Sequence, residues 1–136
     1  MRSVKVRDYM VTNLVTFHPD TELFKAIEVM LERRISGAPV VDSQGKIVGL
    51  LSEWDCLSRI LQGSYYKQVG GTVSDYMQTE VHTAAPGDDI VDVADTMTRN
   101  NWRPMPIVEN GKLVGILSCP DILQVIYDFD VPAKAS

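Results

Sequence analysis

Val40-Val41-Asp42-Ser43-Gln44-Gly45-Lys46-Ile47-Val48-Gly49-Leu50-Leu51-Ser52-Glu53-Trp54-Asp55 reads as a strand, a tight turn, a returning strand and the start of a helix. Ser43-Gln44-Gly45 is a three-residue hairpin loop, with Gly45 where a positive φ is wanted. The same grammar recurs as Ile107-Val108-Glu109-Asn110-Gly111-Lys112-Leu113-Val114-Gly115-Ile116-Leu117-Ser118-Cys119-Pro120-Asp121, with a loop one residue shorter. Both copies carry Gly-Lys, two apolar residues, Gly, two apolar residues, Ser, two variable positions and Asp. An internal repeat of this kind decides the architecture before any single element does.

Outward from the two copies the matching continues. Val6-Arg7-Asp8-Tyr9-Met10 returns as Val73-Ser74-Asp75-Tyr76-Met77, Thr16 as Thr83, Pro19 as Pro86 and Pro39 as Pro106. Leu23, Ile27 and Met30, with Phe24 beside them and Leu31 following, mark one face of a helix; Ile90, Ala94 and Met97 mark its counterpart. Asn13–Phe17 reads as a short strand before the first helix, which Asp20 or Thr21 caps and Gly37 ends in a left-handed conformation. Trp54, Leu57, Ile60 and Leu61 form the apolar side of the helix after the first hairpin, and Ile122, Leu123, Val125 and Ile126 that of the last helix. Tyr65–Thr72 reads as a linker and Asp130–Ser136 as a frayed tail. The fold class expected is α+β, with mixed sheets of α/β type: two pseudo-symmetric β-α-β-β-α repeats, 1–66 and 67–136, packed sheet to sheet into one module.

The totals narrow the function. The chain has 136 residues, enough for one real core. A net charge of −5 argues against nucleic-acid duplex binding, which needs a basic surface. No apolar run has the length of a membrane span and the first residues lack a signal peptide's apolar core, so a cytoplasmic protein is expected. Cys56 and Cys119 are too few for a disulfide scaffold. No nucleophile–base set, carboxylate pair or metal-ligand spacing is visible, so neither catalysis nor a metal is expected, and no cofactor is required.

The Val-x-Asp-Tyr-Met starts, the Pro-Val-Val-Asp and Pro-Ile-Val-Glu strands and the twofold Gly-x-x-Ser-x-x-Asp motif together resemble a stand-alone CBS-domain pair, or Bateman module. The resemblance covers residues 4 to 127. It implies a non-catalytic, energy-sensing regulatory module that binds AMP, ADP, ATP or S-adenosylmethionine in clefts between the repeats and signals to a regulated partner protein. It also implies two sites. One uses Ser118 and Asp121 for phosphate and ribose, with Thr16, Ile35, Ser36 and Gly37 around the base and Arg103 nearby. The other uses Ser52 and Asp55, with Thr83, Trp102, Arg103 and Pro104 around the base. A serine at a helix start with free N–H groups suits phosphate, and a nearby Asp suits ribose hydroxyls. Ser-x-x-Asp is equally close to a plain helix-capping box.

The two copies differ. Pro120 removes an N–H from the second helix start, and Trp102 and Met105 are bulkier than their counterparts. A structural dimerisation module with degenerate sites is therefore the alternative reading, and a thiol-based redox regulator acting through Cys56 and Cys119 a more distant one. A homodimer is expected, because the two post-motif helices carry more apolar surface than one small core absorbs.

Overall fold

A computed structural model describes residues 4–63 and 70–135 of the chain. Most of the expected linker lies outside the described residues. Four helices and two hairpins alternate: α1 (Leu23–Arg33), β1 (Gly37–Val41), β2 (Ile47–Ser52), α2 (Glu53–Gly63), α3 (Ile90–Asn100), β3 (Met105–Glu109), β4 (Lys112–Leu117) and α4 (Cys119–Ala135). Single 3-10 turns occupy Val6–Asp8 and Val73–Asp75.

The chain divides into two compact units. One is Val15–Val81; the other joins the N-terminal stretch ending at Leu14 to the chain from His82 onward. In the first, β1 and β2 pair antiparallel from Gly37↔Ser52 to Val41↔Ile47, with a bulge after Val40. Phe17 adds a parallel bridge to Val40 on one edge, and Gln78 an antiparallel bridge to Leu50 on the other. The second unit repeats the plan. β3 pairs with β4, Ala84 bridges Ile107, and Val11 bridges Ile116. Both edges of each hairpin are thus partly covered, which blunts edge-to-edge aggregation.

The bridges reveal an exchange. In sequence, Val6–Met10 opens the repeat 1–66 and Val73–Met77 the repeat 67–136. In space, the Val6 and Arg7 N–H groups donate to Asp88 O and Pro86 O, while the Val73 and Ser74 N–H groups donate to Thr21 O and Pro19 O. Each arm completes the fold of the other copy.

Each unit has its own core. Phe17, Leu23, Ala26, Met30, Val40, Leu51, Val73 and Tyr76 fill one; Val6, Ile90, Val93, Met97, Ile107, Leu117 and Val125 fill the other. Several local expectations are corrected. Asn13–Phe17 forms no strand but a single bridge at Phe17, because the segment meets β1 at one residue only. The N-cap of α1 is Glu22, with no side-chain bond, while Thr21 Oγ1 accepts the His18 N–H. Arg34, not Gly37, takes the left-handed position after α1, at φ 56°. Gly37 is needed for another reason: a Cβ there would lie 2.6 Å from Leu51 O across the hairpin. Leu31, placed on the inward face of α1, is 68% exposed, because the inward stripe is set by Leu23, Ala26 and Met30. On α2 Cys56 and, partly buried, Ile60 turn to the core, while Trp54, Leu57 and Leu61 face solvent. Helix α4 continues through most of the expected tail, to Ala135. Ala133, Lys134 and Ala135 are strong helix formers.

Candidate functional site

The residues expected at each site are divided in sequence between the two units. Within the unit Val15–Val81, five of the expected residues gather at one end of the β1–β2 hairpin. Ile35, Ser36 and Gly37 lead into β1, and Ser52 closes β2 opposite Gly37. The Glu53 N–H, first of α2, donates to Ser36 O at 2.8 Å. The Ser52 hydroxyl accepts the Asp55 N–H at 3.0 Å, so Ser52 is a working N-cap. Thr16 is exposed beside Phe17, whose N–H donates to Pro39 O at 3.0 Å. Gly37 and Ser52, assigned to different sites, are therefore direct neighbours.

Sequence reasoning overlooked Gln78. Its Nε2 donates to Asp55 Oδ1 at 3.3 Å. Two backbone bonds hold it there: Gln78 N–H to Leu50 O at 2.8 Å, and Leu50 N–H to Gln78 O at 2.9 Å. The signal was available only after the exchange of arms was known, because the residue matching Gln78 in the repeat is Val11.

In the other unit, Thr83 precedes the bridging Ala84, Met105 opens β3 opposite Leu117, and Ser118 follows β4. Arg103 is exposed, and Pro104 follows it across a cis peptide. Trp102 is half-buried, and its ring stacks on His82 with centroids 3.5 Å apart and planes 11° from parallel. His82 has no counterpart in the repeat, so nothing in the sequence paired it with Trp102. A cavity of about 330 Å³ opens beside them. Thr83, Trp102 and Met105 line part of it, Asp88, Asp89 and Asp92 another part. Asp88 Oδ2 accepts the Ala85 N–H at 2.9 Å, and Asp89 caps α3 through the Val91 and Asp92 N–H groups at 3.1 Å each.

The second Ser-x-x-Asp is closed differently from the first. Asp121 Oδ2 accepts both the Ser118 N–H, at 2.7 Å, and the Ser118 hydroxyl, at 2.8 Å. Of the thiols, Cys56 is 5% exposed and burial raises its pKa, while Cys119 is exposed. Among the described residues no cluster of three His, Cys, Asp or Glu could hold a metal ion, and no helix is long and apolar enough to cross a membrane.

The chain matches the CBS domain family over residues 6–62 and again over 73–128. It is 33% identical over 121 residues to an uncharacterized protein of Methanocaldococcus jannaschii, MJ1225; the match covers 89% of this chain and 42% of that relative's length. Among solved structures it is similar to CBSX2 in complex with AMP, at TM-score 0.81 and 28% identity, covering 91% of this chain and 96% of that one. It is also similar to the CBS domain pair of protein MJ0100 in complex with 5′-methylthioadenosine and S-adenosyl-L-methionine, at TM-score 0.80 and 25% identity, covering 93% and 98%. With the motif, the two αββα cores and the family match all present twice, the chain belongs to the CBS domain family, as a tandem CBS pair.

Proposed function

We propose that this CBS pair is a non-catalytic regulatory module that binds adenosine-containing ligands, AMP, ADP, ATP or S-adenosylmethionine, and passes its state of occupancy to a protein partner in the cytoplasm. The observation that carries this reading is the placing of Ser52 and Asp55, and of Ser118 and Asp121, each at the first turn of a helix that leaves a hairpin. A helix start offers N–H groups and a positive dipole end to a phosphate. A carboxylate beside it accepts hydrogen bonds from ribose hydroxyls. The AMP held by CBSX2 and the two adenosine compounds held by the MJ0100 pair support the ligand class. Thr16, Ile35, Ser36 and Gly37, and Thr83, Trp102, Arg103 and Pro104, are the proposed surroundings of the base. Thermal unfolding against the four ligands tests it. A ligand at 100 times its Kd adds about 2.7 kcal/mol of stability; no stabilisation by any of the four refutes the reading.

A second reading, a homodimerising interaction module, is favoured by the exposed Trp54, Leu57 and Leu61 on α2 and Leu123, Ile126, Tyr127 and Phe129 on α4. Apolar rows of this kind mark association surfaces. Light scattering that finds monomers at high concentration with and without ligand removes it.

A further inference from the structure

The two Ser-x-x-Asp grips share their serine and aspartate and are opposite in hydrogen bonding. Ser52 Oγ accepts the Asp55 N–H. A hydroxyl has one hydrogen to donate, and that of Ser52 remains available. The Trp54 N–H enters no hydrogen bond among the described residues. The carboxylate of Asp55 meanwhile bonds to the Gln78 amide, not to its own serine. This helix start presents donors.

At Ser118 the pattern inverts. The Asp121 carboxylate folds back over the helix start and takes both the Ser118 N–H and the Ser118 O–H. Pro120 occupies the position of Trp54 and has no N–H. The Asp121 and Ile122 N–H groups both donate to Ser118 O, at 3.0 and 3.2 Å. The place where a helix start would hold a phosphate is filled by the chain's own anion. The residue matching Gln78 is Val11, which has no amide with which to draw Asp121 aside. A phosphate entering here must displace two charge-assisted bonds and then face a carboxylate. Asp121 Oδ1, by contrast, enters no hydrogen bond among the described residues and can accept from a hydroxyl or an ammonium group.

We propose that the grips divide ligands by charge: the Ser52–Asp55 grip takes the phosphate-bearing adenosine ligand, and the Ser118–Asp121 grip takes an adenosine ligand without phosphate, uncharged or cationic. The inference rests on the adenosine-ligand reading above. Gln78 is a positioning residue of the first grip and Pro120 a selectivity residue of the second.

Calorimetric titration of the full chain with AMP and with 5′-methylthioadenosine tests it. Asp55→Ala weakens AMP by about tenfold or more and Asp121→Ala by less than about twofold, the loss of one charge-assisted bond setting the scale. For 5′-methylthioadenosine the ranking reverses. The double variant Pro120→Ala/Asp121→Asn restores an N–H and removes the anion, so a second equivalent of AMP binds; a gain of binding cannot come from misfolding. Two equivalents of AMP on the unaltered chain with equal affinity, or AMP binding that Asp55→Ala leaves intact, overturns the division while leaving the ligand class standing. If neither compound binds the unaltered chain, the division falls, while the adenosine reading itself is decided by the unfolding test against the four ligands.

Discussion

The sulfur of Met77 lies against Gly49, so close that a Cβ on Gly49 would come within 2.6 Å of it. The same relation holds between Met10 and Gly115, again at 2.6 Å. Each arm crosses its hairpin over a glycine, which explains why the motif begins with that residue in both copies. The crossings differ underneath. At Gly49 the added carbon also meets Gln78 O at 2.8 Å, whereas at Gly115 the nearest backbone atom is Val11 O at 3.1 Å. Gly49→Ala and Gly115→Ala each destabilise by about 1–3 kcal/mol, the usual cost of overpacking. The Gly49 change is the larger. Adding Met10→Ala relieves Gly115→Ala more than Met77→Ala relieves Gly49→Ala, since a side chain yields and a carbonyl does not. Urea unfolding of the four single and two double variants checks the order.

Helix capping separates the paired carboxylates. Asp121 holds two bonds at the start of α4, so Asp121→Ala lowers stability by about 1 kcal/mol. In the other copy the cap is the serine hydroxyl, so Ser52→Ala carries a cost of about that size and Asp55→Ala a smaller one. Equal losses for Asp55→Ala and Asp121→Ala in chemical denaturation would contradict the observed difference.

The N-terminal arm is tied to α4 by a hydrogen bond from the Tyr9 hydroxyl to Asp128 Oδ2 at 2.7 Å. That bond, with a second from Gln124 Nε2, holds the Asp128 carboxyl below the usual carboxylate range. A carboxyl depressed in the folded state adds stability above its unfolded value near ~4 and loses it as pH falls through the folded one. The Tyr9–Asp128 tie therefore contributes at neutral pH and is weakened in acid, while the backbone bonds of Val6, Arg7 and Val11 keep the arm in place. Carbon-13 NMR titration follows Asp128 directly, and Tyr9→Phe moves its midpoint upward. An unmoved midpoint would mean the bond does not persist in solution.

The thiols differ in access. Cys56 is buried in the core of its unit, and desolvation first, then the charge of Asp55, raises its pKa. Iodoacetamide at neutral pH alkylates the exposed Cys119 in the native chain, while Cys56 reacts only after denaturant is added. Equal native rates would revive thiol chemistry at Cys56.

The repeat made much of this legible from residues alone. Hairpins, helices and both Ser-x-x-Asp grips follow from patterns of period two and of helical spacing, which short local interactions enforce. What stayed hidden depends on partners distant in sequence. Gln78 reaches Asp55 because its backbone pairs with Leu50; His82 matters because it lands on Trp102. Which apolar residues of α2 reach the core depends on packing in the same way. Leu57 and Leu61 have larger apolar side chains than Cys56, yet Cys56, with Ile60 beside it, is turned toward the core. The rest of the helix start could not be read either, because nothing local decides whether an aspartate lies toward its serine or away from it.

The exchange of arms orders events during synthesis. The unit Val15–Val81 is one unbroken stretch, so every residue it needs has been joined once Val81 is added. The other unit joins residues from both sides of that stretch, since Val11 pairs with Ile116 and Tyr9 bonds to Asp128. Its arm must wait until the residues from His82 to Asp128 are made, and closing so long a loop is the slow kind of folding step. The stretch Val15–Val81 can thus fold before the unit that carries Ser118 is complete.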